Sequence, residues 1–145
     1  MSSISPPVSV TTLTRSAADA RTLPAAVTVY IVEDDPAVRS ALQLLVRSHG
    51  WKPAAFASGL QFLARAPIEE RACLVLDLNM PEIDGEEVLR RLRAGGSRLP
   101  VLVITGDREG PRLERLMRGG AHSVLLKPFG DAAFQAAVED CLQIT

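Results

Sequence analysis

Four short apolar runs in this 145-residue chain are each followed directly by residues that can handle phosphoryl groups and hard cations. Glu33-Asp34-Asp35 follows the first, Asp77 and then Asn79 the next, Thr105-Gly106-Asp107 another, and Lys127-Pro128 the last. Brought to one place, these residues combine a carboxylate cluster with a hydroxyl and an ammonium. Clustered carboxylates are unfavourable alone, since two unit charges ~4 Å apart repel by roughly 4 kcal/mol at an effective dielectric of about 20. Lys127 supplies one compensating charge, and a hard divalent cation with oxygen ligands supplies the rest. Magnesium suits one or two carboxylates, waters and a phosphate oxygen. Such a set fits in-line phosphoryl transfer to a carboxylate oxygen. The metal and Lys127 neutralise the equatorial oxygens, Thr105 donates a hydrogen bond to one of them, and Gly106 leaves room for the group to approach. Each residue alone would pass for an ordinary surface group. Their joint occurrence at separate strand ends carries the reading.

The elements that must gather them are legible as periodic patterns. Apolar runs at Val27–Val32, Ala54–Ala57, Cys73–Leu76, Val101–Ile104 and Ser123–Leu126 read as buried strands. Helical segments lie between and after them. The first sets Val38, Leu42, Leu45 and His49 on one face and starts at Asp35-Pro36, a capping acid followed by proline at the first helical position. The second opens at Ser58 with Gln61 as a capping box. The third follows Asp84-Gly85 and turns Val88, Leu89 and Leu92 inward. The fourth carries Leu113, Leu116 and Met117 and stops at Gly119-Gly120, and the fifth has Phe134, Ala137, Val138, Cys141 and Leu142 in one stripe. Strands alternating with helices imply right-handed crossovers and a doubly wound five-stranded parallel sheet covered on both faces. Ligands then bind beyond the carboxyl ends of the strands, where Glu33, Asp34, Asp77, Thr105 and Lys127 fall.

Composition narrows the class further. With 47% apolar residues, one hydrophobic core needs no metal or disulfide to hold it. Sixteen basic against seventeen acidic residues give a net charge of −1, which offers no electrostatic case for nucleic-acid or membrane binding by the domain. No apolar run approaches the ~20 residues of a membrane span, and the N-terminus lacks the order of a secretory signal. Cys73 and Cys141 have no metal-ligand or CxxC spacing and read as reduced core residues, so a cytoplasmic location is expected. Residues 1–26, rich in Ser, Thr, Pro and Ala, read as a flexible tail preceding a domain over 27–145. His49, His122 and Trp51 read as structural. Arg112, Arg115 and Arg118 form a basic row, read as a solvated face or, more sharply, a partner surface.

The segments VYIVEDD, LDLNMPEIDG, VLVITGD and LLKPF, in this order and at these spacings, resemble the receiver domain of two-component response regulators, in particular the nitrogen-fixation-regulator subfamily. The match covers about Val27 to Leu142. The resemblance implies a flavodoxin-like fold with strand order 2-1-3-4-5. It also implies that Asp77 is the phospho-acceptor, with Asp34 ligating Mg²⁺ directly, Glu33 completing the acidic pair and the backbone carbonyl of Asn79 as a further ligand. Thr105 and Lys127 would bind the phosphoryl oxygens, with a cis bond at Lys127-Pro128. Asn79 and Asp107 hold positions that tune the lifetime of the phosphate. The partner is expected to be a histidine kinase or phosphotransfer protein, and a homodimer would form through the fourth helix, fifth strand and fifth helix.

Two positions depart from the family pattern. Glu33 stands where aspartate is usual, which adds one methylene to a metal ligand. Val124, three residues before Lys127, stands where the family carries a Tyr or Phe switch, so the readout is expected to run through loop and helix shifts instead of a ring flip. A hydrolase working through an aspartyl phosphate would want an acid two residues after the nucleophile, and Asn79 cannot serve. Neither GxGxxG nor GxxxxGK[ST] is present for nucleotide binding. A protein-binding module without phosphoryl chemistry would be expected to lack Asp77, Thr105 or Lys127. A phospho-acceptor that turns over no external substrate is therefore expected. With no helix-turn-helix after the fifth helix, output is expected through protein contact. The other readings are a receiver portion of a longer DNA-binding regulator or of a hybrid histidine kinase.

Overall fold

The computed structural model describes residues 26–65, 68–108 and 110–143. The expected tail therefore lies, apart from residue 26, outside the described residues. The strands are β1 (Thr28–Val32), β2 (Lys52–Phe56), β3 (Ala72–Asp77), β4 (Val101–Thr105) and β5 (Ser123–Leu126). The helices are α1 (Pro36–Ser48), α2 (Gly59–Leu63), α3 (Gly85–Ala94), α4 (Gly110–Arg118) and α5 (Asp131–Leu142). The five strands form one parallel sheet in the order β2-β1-β3-β4-β5, as expected.

Period-two alternation sorts the strand residues into two cores. Tyr30, Val32, Leu74, Leu76, Val101 and Val103 pack with Phe62 of α2, Val88, Leu89 and Leu92 of α3 and Leu116 of α4. Val29, Ile31, Cys73, Val75, Leu102 and Ile104 pack with Leu42 and Val46 of α1 and Phe134, Val138 and Cys141 of α5. The central strands are buried on both faces, which is why they read as continuous apolar runs. The edge strand β2, Lys-Pro-Ala-Ala-Phe, starts two residues before the apolar run that marked it, because Lys52 and Pro53 carry no hydrophobic signal.

Local capping follows the sequence closely. Asp35 Oδ1 accepts from the Ala37 and Val38 amides at 2.9 and 3.4 Å, with Pro36 opening α1. Ser58 Oγ accepts from Gln61 N at 3.1 Å, while Gln61 Oε1 reaches Ala57 N at 3.3 Å, one residue outside the usual box. Two helix faces differ from expectation. On α1 the buried residues are Leu42 and Val46, whereas Val38, in the first turn, is exposed and lines an open groove with Pro128 and Phe129. His49 is the C-cap of α1, its ring bonded to Asp131 and lying 5.0 Å from the half-buried Trp51. On α4 only Leu116 is buried and Met117 is exposed, since a nine-residue helix offers a narrow stripe to the sheet. His122 bonds Asp140 at 2.7 Å, which fits the structural role expected of it. Both cysteines are buried with free thiols.

Candidate functional site

The carboxyl ends of β1, β3, β4 and β5 converge as the parallel topology requires. Carboxylate oxygens of Glu33, Asp34 and Asp77 all lie within 4.8 Å of one another. The acidic run after β1 divides three ways. Glu33 is buried at 3% exposure, Asp34 is exposed, and Asp35 is occupied as the cap of α1. Arg39 of α1 fixes this turn by donating from Nη1 to the carbonyls of Glu33 and Asp34 at 2.9 and 3.3 Å. No motif pointed to Arg39. It lies one helical turn past the cap and acts on backbone, so its only sequence signal was its place on α1.

Asp77 is the last residue of β3 and is 6% exposed. Lys127 Nζ lies 3.4 Å from Asp77 Oδ1 and 3.9 Å from Glu33 Oε1. Burial raises the pKa of Asp77, with the Lys127 charge and the Asn79 amide opposing it. Burial also pushes Glu33 up to about 7, partly offset by a hydrogen bond from Asp35 N and reinforced by the Asp77 charge. Two buried carboxyls that resist ionisation, with a single ammonium between them, make a site to which a divalent cation would add the missing positive charge. Carboxylate oxygens are also the donors hard cations prefer, so the residues fit magnesium.

The other half of the site is built differently. Thr105 is fully buried at the end of β4, and its Oγ1 accepts from Asp107 N at 2.9 Å. Lys127 N donates to the Thr105 carbonyl at 2.8 Å, which ties the end of β5 to β4, and the Lys127-Pro128 bond is cis. The space beside Gly106 is open: a Cβ there would meet nothing within 4 Å. Val124 pairs with Val103, is half-buried and packs toward the α2–α4 side of the sheet, the side that also holds Leu113.

Two further residues shape the site without having been singled out for it. Gly85 opens α3, and a Cβ there would stand 2.8 Å from the Asp77 carbonyl oxygen and 2.9 Å from Leu78 Cα. Only glycine lets α3 sit this close to the end of β3, where Gly85 N bonds the Leu78 carbonyl at 2.9 Å. Arg112 is not part of a freely solvated row. It pairs with Glu86 at 3.0 Å and Asp107 at 3.2 Å. A groove lined mainly by Val38, Leu42, Ile104, Pro128 and Phe129 runs beside Lys127 and Glu33.

A family model described as the response regulator receiver domain matches residues 29–139. The transcriptional regulatory protein FixJ of Azorhizobium caulinodans is 38% identical over 120 residues, covering 83% of this chain and 57% of FixJ. The crystal structure of FixJ-N superposes with a TM-score of 0.78 at 33% identity, covering 85% of this chain and 98% of that one. The receiver domain of the sensor histidine kinase PA1611 from Pseudomonas aeruginosa PAO1, solved with a magnesium ion coordinated in its active site cleft, matches at 28% identity and a TM-score of 0.72. That match covers 82% of this chain and 99% of the other. The chain spans between half and three-fifths of the length of the curated FixJ relatives it matches.

Proposed function

This chain belongs to the family of response regulator receiver domains, and from that premise we propose that residues 27–145 form a Mg²⁺-dependent phospho-acceptor whose acceptor is Asp77. The observation that carries the reading is the buried Asp77 carboxylate 3.4 Å from Lys127 Nζ and within 4.8 Å of the Glu33 and Asp34 carboxylates. A bond forms between an Asp77 oxygen and phosphorus as the donor's P–N or P–O bond breaks, and the leaving group departs with that bond's electron pair. Glu33, Asp34, the Asp77 carboxylate and the Asn79 carbonyl would hold Mg²⁺, which supplies positive charge against the phosphoryl oxygens. Lys127 and the Thr105 hydroxyl bind the remaining oxygens. Asn79 and Asp107 flank the acceptor and the hydroxyl, where they influence access of water. Magnesium in the related PA1611 receiver supports this metal.

The donor is a phosphohistidine of a histidine kinase or phosphotransfer protein, and the apolar groove beside Lys127 offers such a partner a surface to dock on. Readout runs through α4, β5 and α5, with Val124 in place of an aromatic switch and exposed Met117 on a face suited to homodimer contact. Among the described residues no helix is long and apolar enough to cross a membrane. A second reading has support in the partial coverage of the curated relatives: the chain would be the receiver portion of a longer transcriptional regulator or hybrid kinase.

Incubation with acetyl phosphate and Mg²⁺, followed by intact-mass measurement, tests the chemistry. One phosphoryl mass is expected on the wild-type chain and none on Asp77→Asn. Uptake that survives this substitution unchanged would overturn the assignment.

A further inference from the structure

Arg112, near the start of α4, meets three carboxylates in two other parts of the molecule with one guanidinium. Its Nε donates to Glu86 Oε1 at 3.0 Å in the first turn of α3, and its Nη1 donates to Asp107 Oδ2 at 3.2 Å in the loop after β4. Its Nη2 stands 4.0 Å from Asp84 Oδ2, the carboxylate that caps α3. Arg115 Nε adds a 3.6 Å contact to the other Glu86 oxygen. The Arg112 side chain is 24% exposed and that of Asp107 17%, so this pair is shielded from solvent more than a typical surface ion pair.

The link continues inward from Asp107. Its backbone N–H donates to the buried Thr105 Oγ1 at 2.9 Å. Wherever the Asp107 segment is held, the Thr105 hydroxyl oxygen is held with it. The Asp107 carboxylate also places a negative charge two residues from Thr105, at the edge of a site that already gathers three carboxylates.

We infer that Arg112 is a positioning residue for phosphoryl acceptance, holding and neutralising Asp107 so that Thr105 is presented in one orientation and an incoming anion meets no added charge. The inference rests on the reading of Asp77 as acceptor and Thr105 as a phosphoryl-binding hydroxyl. Arg112 acts at a distance, since its contacts are Asp107 and the α3 acids. A lysine cannot replace it fully, because a point charge does not hold two carboxylates in a fixed fork.

The experiment measures initial rates of phosphoryl uptake from acetyl phosphate with Mg²⁺ on the full chain, by intact mass, in wild type, R112Q, R112K, D107N and R112Q/D107N. Melting curves check that each variant is folded. R112Q is expected to slow uptake by roughly 3- to 10-fold, with R112K in between. In the D107N background the same R112Q change is expected to cost less than about 2-fold, because the charge that Arg112 manages is gone. A residue that merely braces α4 against α3 would slow both backgrounds equally, and that result would overturn the inference. An R112Q rate equal to wild type would do so too. If the wild-type chain takes up no phosphoryl mass, the reading of Asp77 fails and this inference fails with it. Normal wild-type uptake with an unaffected R112Q removes the inference alone.

Discussion

The helices α3 and α4 border the same site and are mounted in opposite ways. α3 buries Gly85, Val88, Leu89 and Leu92, is capped by Asp84 through Glu87 N at 3.0 Å, and meets the end of β3 with no room for a Cβ at Gly85. α4 buries Leu116 alone and is joined to its surroundings largely by the ion pairs of Arg112 and Arg115. Close packing resists small displacements, because every gap opened loses contacts outright, whereas polar ties exchange partners at modest cost. The Asp77 carboxylate thus ends a strand backed by a rigid helix, while the loop after β4, tied to Arg112 through Asp107, borders an adjustable one. A receiver that accepts a phosphoryl group as proposed would use both, one to hold the chemistry still and one to report the change of state.

The sharpest break in this comparison is a pair of truncations. Leu89→Ala on α3 is expected to cost about 3 kcal/mol in urea denaturation, as for a fully buried leucine, while Met117→Ala on α4 stays within about 0.5 kcal/mol. Equal costs would mean that α4 is as firmly packed as α3. A smaller effect concerns the acidic side of the site. Burial pushes the Glu33 carboxyl up to about 7 in the fold from an ordinary value of 4.5. A raised carboxyl stabilises the fold fully below its ordinary value and loses that contribution as pH rises through the folded one. Chelator-treated protein should therefore lose roughly 2 kcal/mol between pH 5 and pH 8 through this group, and Glu33→Gln should flatten the loss. A slope unchanged by Glu33→Gln would place its origin elsewhere. Smallest is Gly85→Ala, which forces α3 off the Asp77 carbonyl at a cost of about 1–2 kcal/mol. It should also slow phosphoryl uptake at Asp77, whereas Gly106→Ala, beside open space, should leave stability within about 0.5 kcal/mol.

The rigid parts of the molecule were also the parts legible in the sequence. β1, β3 and β4 announce themselves because residues buried on both faces must be apolar throughout. Parallel topology then dictates that Glu33, Asp34, Asp77, Thr105 and Lys127 meet at one edge. The register of β2 was blurred by Lys52 and Pro53 on an edge strand, and the inward face of α1 was misplaced toward Val38 because periodicity does not reveal which turn of a helix lies over an open groove. Arg112 could not be read in advance. A bridge from α4 to Glu86 and Asp107 depends on the distance between helices, which no local pattern encodes. Gly85 was visible as a helix start, yet its closeness to Asp77 belongs to the packing of α3 on β3.

The burial of both thiols has a practical consequence. Cys73 and Cys141 are the chain's two cysteines, and burial raises both thiols, Cys141 to about 11, so neither is a ready thiolate at neutral pH. A third cysteine placed at exposed position 117 would be alone in reacting quickly with a maleimide dye. The dye would ride on the adjustable helix without entering a core, giving an optical probe of signalling built with a single substitution.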